Sequence, residues 1–264
     1  MAFADVNGIR IHYQLDGPPE LPVVALSNSL GTDLSLWEPQ LAALSSRFRV
    51  LRYDTRGHGK SDAPPGPYTA DMLGRDVLGL LESLRISAVH FCGISMGGMT
   101  GMWLGANAPQ RVRSLVLCNT AAQFGARENW DTRIAAVQSG GMASIAGMVL
   151  GRWLTPEFQA RRPDEAERLR RMLLSTPAQG YIANCVALRE VDLREVIARI
   201  RTPTLVLAGS KDSATTPAQG RFIADRIQGA RYVELEAAHL SNIESSGLFT
   251  ETVSAFLAEQ RQEG

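Results

Sequence analysis

Four runs of strand length, PVVALS from residue 22, AVHFCG from 88, SLVLCN from 114 and PTLVLAG from 203, contain no Asp, Glu, Lys or Arg. A strand that is apolar along its whole length has to be covered on both faces, which is the condition of strands inside a parallel sheet. Parallel neighbours need crossovers, and helix-like stretches stand where crossovers belong: DMLGRDVLGLLESL at 71–84, MGGMTGMWLGANA at 96–108, PAQGRFIADRI at 217–227 and GLFTETVSAFLAEQ at 247–260. FRVLRYD at 48–54 and RYVELE at 231–236 read as further strands of the same sheet. The opening FADV, Asn7-Gly8, IRIHYQL reads as a hairpin, because Asn-Gly supplies the positive φ angles of a two-residue turn. The expectation is an α/β protein with a mostly parallel eight-stranded sheet, extended in antiparallel fashion by the first hairpin.

The alternation stops between residues 121 and 191, where RENWDTRIAAVQSGGMASIAGMVLGRWLT, PDEAERLRRMLL and GYIANCVALREV are all helix-like. That segment is expected to be a helical cap inserted into a core domain formed by 1–120 and 192–264. A chain of 264 residues, 45% hydrophobic, is large enough for such an arrangement. The charge run from Arg161 to Arg171 mixes both signs, as a solvated helix face does.

With 27 basic and 27 acidic residues the formal charge is zero, and no basic block is dense enough to track phosphates, so no nucleic-acid partner is expected. Cys92, Cys118 and Cys185 are odd in number and far apart, which suits buried, reduced thiols in a cytoplasmic protein. The N-terminus has Asp5 and no apolar stretch of signal length. The uncharged window 88–108 is long enough to span a bilayer, but its glycines, His90, Ser95 and Asn107 favour a strand, turn and helix; no membrane partner is expected. No metal-ligand spacing occurs, and no metal or organic cofactor is called for. Oligomeric state has no signature in the sequence.

Gly93-Ile94-Ser95-Met96-Gly97 fits G-x-S-x-G between a predicted strand and a predicted helix. A sharp turn there strains the serine backbone, leaves room only for glycine at −2 and +2, and exposes the hydroxyl at a helix N-terminus that favours negative charge. Ser95 is therefore the candidate nucleophile, and Cys92, in the strand interior, reads as a core thiol. A serine needs a base. Of four histidines, His12 lies in the hairpin and is expected at the surface. His58, in DTRGHGKSD, is expected to brace a turn, and His90 sits at the wrong end of its strand. His239, in EAAHLSN after RYVELE, occupies the sheet edge where ligands bind, and is the candidate base. Asp212, in GSKDSATTP after PTLVLAG, is the candidate acid. Thr216 before Pro217 is better placed than Asp212 to cap the next helix, and Asp54 reads as a turn builder. The oxyanion hole would use the N–H of Met96, directly after the serine, and the N–H of Leu30 in the Asn28-Ser29-Leu30-Gly31 loop.

Ser95, Asp212, His239 and DTRGHGKSD together resemble the α/β-hydrolase superfamily over nearly the whole chain. The chain departs from it at Asn28-Ser29, where many members have His-Gly. SNSLGTDLSLWEPQ, NWDTRIAAVQSGGM, RWLTPEF, NCVALREVDLR and AAHLSNIE resemble 3-oxoadipate enol-lactonases. That resemblance implies a cofactor-free serine esterase that opens 3-oxoadipate enol-lactone to 3-oxoadipate, a step in bacterial aromatic breakdown, through an acyl-enzyme. The substrate would be a small lactone with a free carboxylate, for which Arg133 and Trp153, with Trp130 behind them, are the candidate contacts in the cap. The alternatives are another carboxylesterase or carbon–carbon bond hydrolase of the same fold acting on ring-cleavage products, or a ligand-binding receptor on a hydrolase scaffold.

Overall fold

A computed structural model of the protein describes residues 2–260. Eight strands form one sheet: β1 Ala2–Val6, β2 Ile9–Asp16, β3 Val23–Ser27, β4 Arg49–Tyr53, β5 Val89–Ile94, β6 Val112–Cys118, β7 Thr204–Gly209 and β8 Arg231–Leu235. Their order is β1-β2-β4-β3-β5-β6-β7-β8. The hairpin β1–β2 turns at Asn7 and Gly8, both at positive φ (48° and 77°), and β2 pairs with β4 in antiparallel register; every later pairing is parallel. Residues 24–26, 91–92 and 115–118 are fully buried, as two-sided coverage requires.

The flanking helices are α1 Glu38–Ser45, α2 Ala70–Ser83, α3 Met96–Asn107, α9 Pro217–Arg226, α10 Ser241–Glu244 and α11 Ser246–Glu259. α3 lies along β5 and β6 and packs on α2, while α1 packs on α11. A capping box between Thr216 and Gln219 begins α9. Between β6 and β7 come α4 Arg127–Gly140, α5 Ala146–Trp153, α6 Pro156–Arg161, α7 Pro163–Ser175 and α8 Ala178–Glu190. This helical segment leaves and rejoins the sheet at one place, where Leu193 N donates to Ala122 O at 2.8 Å. The stretch read as one piece from residue 127 is broken at Gly141, whose φ of 64° ends α4.

Two features of this topology position a site. The chain leaves β3 for β4 on one side and returns to β5 on the other, so the C-terminal ends of β3 and β5 lie side by side, with Ser27 opposite Gly93. Such a switch point leaves a crevice beyond the carboxyl ends of the strands. The helical segment stands over that same edge. Among the described residues no helix is long and apolar enough to cross a membrane; the 88–108 window is β5, a turn and α3.

Candidate active site

Ser95 joins β5 to α3 at φ 57° and ψ −114°, a conformation that L-residues rarely adopt. The glycines around it are required by sterics. A β-carbon on Gly93 would come within 2.2 Å of Gly97 O, and one on Gly97 within 2.2 Å of Ser27 O. The strained turn is held from both ends: Ser95 N donates to Cys118 O at 2.9 Å, and Thr120 Oγ1 donates to Ser95 O at 2.7 Å.

Asp212 follows β7 and His239 follows β8, and the two meet: Asp212 Oδ2 is 2.8 Å from His239 Nδ1. Asp212 also accepts from Ala214 N, Thr215 N, Thr215 Oγ1 and Asn119 Nδ2 at 2.8 to 3.0 Å. Burial alone would raise its carboxyl pKa, but the neighbouring His239 and these donors outweigh burial and bring it to about 2. Asp212 is thus a carboxylate, and His239 Nδ1 carries the proton shared with it, leaving Nε2 as the lone-pair nitrogen. The backbone of the His239 loop is tied to the helical segment, His239 N to Arg152 O at 3.3 Å and Leu240 N to Trp153 O at 2.9 Å.

Ser95 and His239 line one cavity of about 480 Å³, its mouth included, between the sheet edge and the helical segment. Ser29 and Leu30, from the loop after β3, form part of the wall. Leu30 N has no acceptor among the described residues, and Met96 N stands at the first position of α3, where backbone N–H groups have no intrahelical partner. Asn28 is a brace here: its Nδ2 donates to Tyr53 O and its Oδ1 accepts from Trp37 Nε1, both at 2.9 Å.

Trp130, Arg133 and Trp153 all line the cavity. Arg133 stacks over Trp130 with its guanidinium carbon 4.8 Å from the ring centre. Arg152 is a second guanidinium in the wall; burial, and then the charge of Arg133, lower its pKa. Among the described residues neither arginine has a carboxylate partner. Among the described residues the cavity wall therefore joins a serine hydroxyl, a carboxylate-held imidazole, Leu30 with its unpaired N–H, and two guanidinium groups. Among the described residues no cluster of His, Cys, Asp and Glu could hold a metal ion.

His12 departs from its expected place at the surface. It is buried, with Nδ1 2.7 Å from Asp54 Oδ2, because the 54–62 loop folds over β2: His12 N donates to Ser61 Oγ and Asp54 N to His12 O. Alternation assigns a residue to one face of a sheet, and a loop covers that face here. Asp54 accepts from Leu34 N and Lys60 N and holds the loop together. His90 is buried beside Ser114. All three cysteines are free and buried. Sequence reasoning missed Asn119, Thr215 and Arg152. Two of these had a signal: Asn119 directly follows β6 at the ligand-facing edge, and Arg152 precedes Trp153.

The sequence model of the alpha/beta hydrolase fold matches residues 22–246. The chain is 42% identical to a 3-oxoadipate enol-lactonase of Acinetobacter baylyi, over 95% of this chain and 94% of that protein. Among solved structures it resembles the enol-lactonase of Burkholderia xenovorans LB400 at 50% identity and a TM-score of 0.96, covering 97% of this chain and all of the other. A thermophilic esterase from Thermogutta terrifontis superposes with a TM-score of 0.91 at 26% identity, over 98% of each chain. From its sequence, its sheet order and these likenesses, the chain belongs to the α/β hydrolase fold family.

Proposed function

We propose that this chain is a serine hydrolase that opens 3-oxoadipate enol-lactone to 3-oxoadipate, the activity named for its Acinetobacter relative, and so acts in the breakdown of aromatic compounds. The observation that carries the reading is the shared cavity: a serine on a strained turn, a histidine held by a buried carboxylate, and two guanidinium groups that have no carboxylate partner among the described residues.

Ser95 Oγ attacks the lactone carbonyl carbon while His239 Nε2 takes its proton, and Asp212 stabilises the resulting imidazolium. The tetrahedral oxyanion is met by the N–H groups of Leu30 and Met96. Collapse breaks the bond to the ring oxygen, which leaves as an enolate, takes a proton and tautomerises to the ketone. The acyl group stays on Ser95 until water, deprotonated by His239, attacks it and releases the diacid. The free carboxylate of the substrate pairs with Arg133 or Arg152, and Trp130 and Trp153 cover the ring. Residues 121–191 act as a cap, supplying this recognition while the sheet edge supplies the chemistry.

Following the ultraviolet loss of the enol-lactone tests this directly. Wild-type protein is expected to consume it rapidly, Ser95→Ala to lose that activity, and a neutral aryl acetate to be a far poorer substrate. Better turnover of the acetate than of the lactone would keep the serine hydrolase and refute the substrate.

A further inference from the structure

The loop that carries Leu30 is held by an unusual acceptor. Gly31 N donates to His58 Nε2 at 2.8 Å, inside a region where His58 has no exposed surface. A backbone N–H can only donate, so Nε2 is unprotonated and the ring proton sits on Nδ1, which faces Arg56 O at 3.3 Å. Burial lowers the pKa of His58 to about 4, consistent with an imidazole that stays neutral. The peptide on the other side of Leu30 is fixed as well. Ser29 O accepts from Thr32 N at 3.2 Å and from Thr32 Oγ1 at 2.8 Å. In a trans peptide the carbonyl and the following N–H point in opposite directions, so bonds to Ser29 O aim Leu30 N–H the other way. His58 and Thr32 thus pin the two peptide planes that flank Leu30.

The anchor of His58 is itself anchored. Arg56 O also accepts from Asn184 Nδ2 of α8 at 2.9 Å, and the Arg56 side chain pairs with Asp76. Gly57 and Gly180 of α8 are in backbone contact: a β-carbon on Gly180 would lie 2.4 Å from Gly57 O.

We propose that His58 is a positioning residue for the oxyanion hole: as a neutral acceptor it fixes the Gly31 peptide, and through it the aim of the Leu30 N–H at the developing oxyanion. The claim rests on the serine-hydrolase reading of Ser95 and holds for any ester, so its test runs on an aryl acetate and does not depend on the lactone.

In glutamine the side-chain oxygen lies as many bonds from the β-carbon as Nε2 does in histidine, so His58→Gln keeps an acceptor for Gly31 N–H. His58→Phe keeps the ring and loses it. Removing one oxyanion donor outright slows serine hydrolases by about 10²- to 10³-fold, and a misaimed donor is expected to lose roughly 10- to 100-fold. His58→Phe should show that loss in kcat, with KM within about threefold of wild type. It should also weaken, by a similar factor, inhibition by a trifluoromethyl ketone, whose tetrahedral adduct needs the same donors. His58→Gln should recover most of both. If His58→Phe does not fold, the near-isosteric pair His58→Gln and His58→Met makes the same comparison. Unchanged kcat and inhibitor affinity in the variant without the acceptor would overturn the proposal. So would an equal loss in the glutamine variant, or a loss confined to KM. Failure on the lactone with these acetate results intact would sink the substrate assignment and leave His58 in place.

Discussion

Asp212 is ionised because five donors converge on it, and that has a cost and a use. Its pKa near 2 lies below the ordinary 3.8, so its contribution to stability, about 2 kcal/mol, is complete above about pH 4 and lost as pH falls toward 2. Asp212→Asn should fold at pH 7 and lose activity by up to ~10⁴-fold, since an amide can hold His239 in the wrong tautomer. The advantage of wild type over this variant in urea midpoint should shrink between pH 4 and pH 2; near-normal turnover would move the acid role elsewhere. Sequence could nominate Asp212 and His239 from their loops alone, because the loop after each strand fixes which edge of the sheet a residue reaches. It could not supply Asn119 or Thr215, whose contacts with Asp212 exist only where separate loops meet. The same limit explains His12: the alternation in β2 is regular, and the cover comes from a loop some 45 residues away.

The elements legible in the sequence are those with a regular burial pattern, either one environment throughout or a clear alternation of apolar and polar residues. β3, β5, β6 and β7 are buried on both faces, and α2 has a continuous apolar side. α1 was not legible, because its buried residues are few and one is Gln40, which reaches Asn242 O at 2.7 Å across 202 positions. The packing of α8 on the 54–62 loop was equally hidden, since two glycines meeting backbone to backbone leave no apolar pattern. That contact predicts a sharp response. Gly180→Ala should force α8 away from Gly57, lower stability by about 1 to 3 kcal/mol, and reduce activity by disturbing the Arg56 carbonyl that holds His58. Thermal unfolding and acetate turnover measured together check it; an unchanged Tm would show that the helix yields freely at that point.

For the molecule as a whole, the formal charge of zero gives no net pull on an anion, so attraction depends on where the charges lie, and two cations line the cavity. Among the described residues Arg133 and Arg152 have no carboxylate partner, and both line a cavity whose mouth opens to solvent, where salt screens their attraction for an incoming anion. The kcat/KM for the anionic lactone should therefore fall as salt is raised, that for a neutral aryl acetate should stay flat, and Arg152→Met should flatten the former; identical salt profiles for both substrates would refute it. Arg152 has a further property. Its side chain faces the cavity while its backbone carbonyl receives the N–H of His239, and the next carbonyl receives that of Leu240. The helical segment over the cavity and the loop that carries His239 are thus spliced together through the main chain. A helical segment transplanted from a relative, however well it shaped the cavity, would have to bring two carbonyls to that same spot or leave the histidine unmoored.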